Sequence, residues 1–201
     1  MKALITGIAF VPALVLSAQD STAIGRDVPS IPLPNVDGRS VSFASFPEAK
    51  GFIVVFTCNH CPFAKLYTER LNALQARFAP QDVPLIAINS MDRLVYGEET
   101  FALMQARAQE AQFTFPYVQD SAQQAVRAFG AEHTPQAYVV WKEKGKWIIH
   151  YSGAIDNNGM EPEKATPFVA HAVDDLLAGR PVAAPVTESF GCRIFLRAAD
   201  Q

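Results

Sequence analysis

Apolar residues along this chain fall into two kinds of pattern, short continuous runs and longer stretches spaced by three and four. Phe52–Phe56 is continuous, rich in β-branched residues and opened by Gly51. Such a run suits a strand buried on both faces. Pro84–Asn89 reads the same way. Between them Phe63, Leu66, Tyr67, Leu71, Leu74 and Phe78 recur at helical spacing. Pro62 fits the first turn of that helix, where its missing N–H does no harm, and Pro80 ends it. A second helix is predicted over Glu98–Ala111, a short extended piece over Phe115–Val118, and a helix capped by Ser121 and stopped by Gly130 after Phe129. Gln136–Trp141 and Lys146–Tyr151 read as a strand hairpin, and Thr166–Ala178 as a last helix ended by Gly179. Upstream, the turn signal Asn35–Gly38 lies between Ile31–Leu33 and Val41–Phe43, which predicts another hairpin. The order β-α-β-α-(β)-α-β-β-α implies an α/β fold, with a mixed sheet and helices on both faces.

The N-terminus changes where this domain is expected to work. Met1-Lys2 is followed by an uncharged, largely apolar run from Ala3 to Leu16. One positive residue before a short apolar run is the layout of a secretory signal, and the run is shorter than the ~20 residues a membrane-spanning helix needs. Residues 1–18 are therefore expected to be cleaved, leaving a working domain of residues 19–201 that is secreted or periplasmic and not stably inserted in a membrane. Composition adds exclusions. The net charge is −3 and Lys and Arg are scattered, so no nucleic-acid surface is indicated. Three cysteines are too few for a disulfide-stapled scaffold in 201 residues.

Two of those cysteines, Cys58 and Cys61, stand two residues apart, directly after the first buried strand and at the start of the following helix. That placement predicts Cys58 at a helix N-terminus, where the dipole favours a thiolate, with Cys61 one turn away. A positive charge on His60 would stabilise the thiolate and make the pair more oxidising. Haem attachment would need a histidine after the second cysteine, where Pro62 stands. A structural zinc site would need further ligands; His133, His150 and His171 are the remaining histidines. A purely structural disulfide closing so short a loop adds little stability.

The strand, Cys58-Asn59-His60-Cys61, the helix, and Thr134-Pro135 ahead of a strand hairpin together resemble the thioredoxin fold, a three-layer α/β/α arrangement with a mixed central sheet. The segments Asp37–Phe43 and Phe46–Phe56 resemble the redoxin branch, the AhpC/TSA superfamily, with its N-terminal β-hairpin. The string Cys58–Lys65, with Gly153–Asn158, Leu176–Val182 and a C-terminal Gly191-Cys192, is similar to a bacterial group of thioredoxin-family proteins. The resemblance spans residues 24 to 197. It implies a cis bond at Pro135, with Thr134 offering its backbone to an extended substrate and Pro135 keeping metals off the thiols.

The chain also departs from its relatives. The proline upstream of a peroxidatic cysteine is absent before Cys58, and His133-Thr134 stands where peroxiredoxins supply an arginine. Phe52 occupies about the place of the buried aspartate of thioredoxin, and Ala64 that of a glutamate used by periplasmic reductases. The customary proton acceptor for Cys61 is thus missing; His60, Lys65, Glu69 and His133 are the substitutes at hand. Cys192 has two readings, a third redox thiol that resolves a disulfide of the pair, or a small hydrophobe packed with Ile194 and Phe195; packing is the simpler. The expectation is a thiol–disulfide oxidoreductase exchanging with protein dithiols or disulfides through a mixed disulfide, with Cys58, Cys61 and His60 catalytic, Thr134 and Pro135 binding substrate, and no cofactor or metal. The rivals are an AhpC/TSA-type thiol peroxidase and a copper chaperone holding Cu(I) on Cys58, Cys61 and a histidine.

Overall fold

The computed structural model describes residues 23–198. The expected signal segment, residues 1–18, lies outside them. Five strands form the central sheet in the order β5-β4-β3-β7-β8: β3 (Gly51–Phe56), β4 (Leu85–Asn89), β5 (Tyr117–Gln119), β7 (Gln136–Glu143) and β8 (Lys146–Gly153). β3 pairs in parallel with β4, and β4 with β5, whereas β3–β7 and β7–β8 are antiparallel. The sheet is mixed, as the element order implied.

β3 and β4 are buried along their whole length, which is why their sequences are continuously apolar rather than alternating. Their alternate residues feed two cores. Phe52, Val54, Phe56, Ile86 and Ile88 face one side, with Val126 and Phe129 of α4 (Gln124–Phe129). Ile53, Val55, Leu85 and Ala87 face the other, with Leu71, Leu74 and Phe78 of α2 (Thr68–Phe78), Met104 of α3 (Phe101–Glu110) and Val169 and Val173 of α5 (Phe168–Leu177). The result is a three-layer, thioredoxin-like α/β fold with a small N-terminal hairpin, β1 (Leu33–Pro34) with β2 (Ser40–Val41).

Boundaries differ from the sequence pattern in instructive ways. The helix expected from Pro62 to Phe78 is broken into α1 (Pro62–Lys65) and α2. At the break the N–H groups of Leu66 and Tyr67 bond back three residues, to Phe63 and Ala64, and the Thr68 hydroxyl bonds to the Lys65 carbonyl at 3.0 Å. Helical spacing persists through such a tightened turn, so the pattern cannot report it. The segment expected to begin a helix at Glu98 is instead a 3₁₀ turn over Gly97–Glu99, and α3 starts at Phe101. Ser121 does not cap α4. Asp120 does, accepting from Gln124 N at 2.8 Å and Val126 N at 3.0 Å. Gly130 ends α4 in the left-handed region (φ 72°), as expected of a C-cap glycine.

After α5 the chain crosses back over the sheet edge. Ser152 donates to Pro185 O and Thr187 donates to Ser152 O, and the segment reaches β9 (Cys192–Arg193), which pairs antiparallel with β6 (His133–Thr134). Among the described residues no helix is long and apolar enough to cross a membrane.

Candidate redox site

The site is built where β3 hands the chain to α1. Thr57 N–H still donates to Ile88 O of β4 at 2.9 Å, so the backbone is held to the sheet until one residue before Cys58. Cys61 is then the N-cap of α1, in extended conformation (φ −65°, ψ 119°), with Pro62 at N1. The residue before a proline is driven out of the helical region, so the helix can begin only at Pro62. This corrects the placement expected from sequence: Cys61, not Cys58, occupies the helix start.

Both cysteines are buried, Cys58 with 5% of its surface exposed and Cys61 with none. Cys58 retains only a sliver of exposure, although it remains the more accessible of the two. Thr134 joins them. Its hydroxyl lies 3.1 Å from the Cys58 sulfur, and its carbonyl accepts from the Cys61 thiol at 3.1 Å. The Thr134–Pro135 bond is cis and both residues are buried.

Beneath the loop lies a carboxylate that sequence reasoning missed. Glu99 is fully buried. Its oxygens accept from Asn59 N at 3.0 and 3.1 Å, His60 N at 2.9 Å and Asn89 Nδ2 at 2.6 Å, and one oxygen lies 2.6 Å from His60 Nδ1. The tie extends further: Asn59 Nδ2 donates to Glu98 O at 2.8 Å, and Tyr117 OH donates to Asn59 Oδ1 at 2.9 Å. The two residues between the cysteines are therefore held through their backbone N–H groups by one anion. His60 also stacks flat on Tyr96, with centroids 4.1 Å apart and planes 6° apart. Nothing in the pattern marks Glu99, because an acidic pair near the start of a helix is ordinary. Of the proton acceptors proposed from sequence, Lys65 and Glu69 are exposed, and His133 sits in β6 opposite Arg193. Phe52 is a core residue stacked on Phe43 at 4.5 Å.

These contacts decide where charge resides. Cys58 is pushed up by its hydrogen bond with Cys61, then by burial, with the Glu99 carboxylate adding to the rise. Cys61 is pulled down to about 4, first by the bond from Cys58, then by the thiol of Cys192 and the N–H groups of Ala64 and Cys192, against the cost of burial. The Thr134 carbonyl, which accepts from the Cys61 thiol, opposes that charge in part. Once the dithiol has lost one proton, the remaining proton belongs to the pair, held toward Cys58 with the negative charge toward Cys61. The expectation of a Cys58 thiolate stabilised by the helix terminus and His60 is corrected on two grounds: the terminus belongs to Cys61, and His60 is engaged by Glu99, whose charge faces Cys58.

Cys58 Sγ, a His60 ring nitrogen and a Glu99 oxygen lie within 4.8 Å of one another, the spacing of a small cation site. The donors do not fit one well. Glu99 is already occupied by backbone and side-chain N–H groups, and the His60 ring is fixed by Glu99 and Tyr96.

Comparison with known proteins follows the same lines. A structure of an uncharacterized conserved protein from Geobacillus kaustophilus superposes with a TM-score of 0.78 at 31% identity, over 88% of this chain and 94% of that one. A hypothetical protein from Sinorhizobium meliloti gives 0.80 at 28% identity, over 90% and 98%. A thiol:disulfide interchange protein of the thioredoxin family from Chlorobium tepidum gives 0.51 at 19% identity, over 64% and 85%, a likeness of fold alone. Among curated proteins no match is found. The AhpC/TSA family model, finally, matches residues 24–157. With that match running from the N-terminal hairpin through the Cys58–Cys61 loop and past the cis proline, the chain belongs to the AhpC/TSA family of thioredoxin-fold redoxins.

Proposed function

We propose that this redoxin is a secreted or periplasmic thiol–disulfide oxidoreductase, cycling Cys58 and Cys61 between dithiol and disulfide against protein partners. One observation carries the reading: two buried cysteine sulfurs are gripped by the hydroxyl and carbonyl of a single residue, Thr134, at 3.1 Å each. Disulfide formation in such a pair needs no long movement.

In the reducing direction Cys58, the less shielded sulfur, attacks the partner disulfide while its proton passes to the Cys61 thiolate. A Cys58–partner disulfide forms and the second partner sulfur leaves as thiolate. Cys61 then attacks Cys58, its proton goes to the departing partner sulfur, and the Cys58–Cys61 disulfide closes. The His60–Glu99 pair, within 4.8 Å of the Cys58 sulfur, is a one-water span from it and serves as an alternative proton carrier.

The electrostatics favour this chemistry over peroxide reduction. A peroxidatic thiol needs donors aimed at developing negative charge. Here the charged neighbour of Cys58 is a carboxylate, and no arginine bonds to Cys58 among the described residues.

Trapping tests the reading. Cys61→Ser can attack but cannot resolve, so mixed disulfides through Cys58 should accumulate with periplasmic extract on non-reducing gels. Cys58→Ser should form none through that position. Adducts through Cys61 in Cys58→Ser, with none through Cys58 in Cys61→Ser, would reverse the roles; adducts in neither would sink the proposal.

A further inference from the structure

The C-terminal segment is fastened over the site at several points, and those points place Cys192 with the pair. Thr187 anchors it at one end, its hydroxyl accepting from Ala154 N at 3.0 Å and lying 2.6 Å from Tyr151 OH. At the other end Ile194 is buried and donates to Glu132 O at 2.7 Å, while Gln123 bonds to both Phe195 O and Arg197 N. Between them Gly191 presses on Thr134 so closely that a Cβ would stand 2.1 Å from the Thr134 carbonyl oxygen, with φ at 148°. Thr134, the residue that holds Cys58 and Cys61, is then the ladder partner of Cys192. The Thr134 hydroxyl, 3.1 Å from the Cys58 sulfur, also donates to Cys192 O at 3.5 Å, and Cys192 helps to lower the Cys61 thiol. Cys192 packs against the core cluster that contains both other cysteines, yet it is only half-buried. Thr134 therefore gathers three thiols: its hydroxyl meets Cys58, its carbonyl meets Cys61, and its ladder partner is Cys192.

We infer that Cys192 is a third redox thiol, which exchanges with the Cys58–Cys61 disulfide at Cys61. The inference rests on the oxidoreductase reading of the pair. The Cys192 thiolate attacks the Cys61 sulfur; the Cys61–Cys192 bond forms, the Cys58–Cys61 bond breaks, and Cys58 leaves as thiolate. No outside oxidant or reductant enters, because one disulfide and one thiolate are present before and after. The Cys192 thiol is held up, to about 12, first by burial and then by the bond and charge of Cys61. The share due to Cys61 vanishes when Cys61 is in a disulfide, so oxidation of the pair brings the Cys192 thiol part of the way down, while the share due to burial remains. The step moves the disulfide from a buried pair to the half-buried β9. It also explains why the Thr134 edge, expected from sequence to receive a substrate strand, is covered by the protein's own strand.

Disulfide mapping of the full chain decides this. Cys58→Ser, oxidised with diamide and alkylated, should lose both remaining thiols and give one cross-linked peptide containing Cys61 and Cys192. Cys61→Ser should give no Cys58–Cys192 link. Oxidised wild type should contain two mutually exclusive isomers, Cys58–Cys61 and Cys61–Cys192, and Gly191→Ala should lower the second at least tenfold. If wild type yields only Cys58–Cys61 and Cys58→Ser keeps two alkylatable thiols, the relay is wrong and the oxidoreductase reading stands. If wild type yields no Cys58–Cys61 link at all, it is the underlying reading that fails.

Discussion

Replacing Glu99 by Gln removes one charge and almost no volume from beneath the redox loop. The carboxylate is fully buried and takes N–H groups on both oxygens. An amide offers one acceptor oxygen and one donor nitrogen. If its oxygen keeps the N–H of His60, its nitrogen faces Asn89 Nδ2, which is also a donor. Asn89 cannot turn over cheaply, since its Oδ1 accepts from Met91 N at 3.0 Å and its Nδ2 also donates to Tyr117 OH at 3.1 Å. The variant loses at least one charge-assisted bond, worth ~1.5–3 kcal/mol, and leaves a buried donor unpaired, at ~1–3 kcal/mol. These overlap, so a destabilisation of about 3 kcal/mol is expected in urea unfolding, with the m-value unchanged. A second effect has the opposite sense for reactivity. Glu99 raises Cys58, so its loss brings the Cys58 thiol down, and alkylation of Cys58 at neutral pH should speed up. A variant within about 0.5 kcal/mol of wild type and with an unaltered alkylation profile would refute the view that Glu99 organises the loop.

Other outcomes follow from the same geometry. Hydrogen peroxide should oxidise the reduced protein no faster than a free thiol, measured by stopped flow; a rate orders of magnitude higher would favour the peroxidase reading. Gly191→Ala should be clearly destabilising, because its Cβ meets backbone rather than a movable side chain, and thermal unfolding near the wild-type value would contradict the close β6–β9 contact. Stability should fall in alkali. Burial first, then Asp156, raises Tyr67 to about 12 from the usual 10, so between those pH values the unfolded chain has lost a proton that the native protein retains. Stability contributed below pH 10 is lost as pH rises toward 12, by about 3 kcal/mol at ~1.4 kcal/mol per pH unit. Chemical unfolding across that range, with Tyr67→Phe showing a shallower decline, checks the sign.

Much of this molecule could be read from its sequence, for identifiable reasons. β3 and β4 are buried on both faces, and continuous β-branched apolar runs are the direct mark of that environment. Cys58 and Cys61 were visible because their spacing and position between strand and helix are unusual, and Thr134-Pro135 because it precedes a strand hairpin. Glu99 was not visible. It comes to the loop from forty residues away in chain order, through a 3₁₀ turn that periodicity mistakes for a helix, and its partners are mostly backbone N–H groups, which carry no residue code. The location of the charge was misread for a related reason. The helix starts at Pro62, so Cys61 rather than Cys58 is its N-cap, and sequence offered no sign that a buried anion stood behind Cys58. Gly191-Cys192 stood out as a motif, but only the β6–β9 register shows that it meets Thr134.

The central claim is that Cys58 and Cys61 form a working two-electron couple. Its most direct test is equilibration of the protein in glutathione buffers of graded potential, followed by acid quench, alkylation and mass measurement. The account predicts one two-electron transition, lost in both Cys58→Ser and Cys61→Ser, at a potential between the ~−270 mV of a strong reductant and the ~−120 mV of a strong oxidant. A protein that keeps both thiols free across that whole range, or that takes up glutathione on each without joining them, would contradict it.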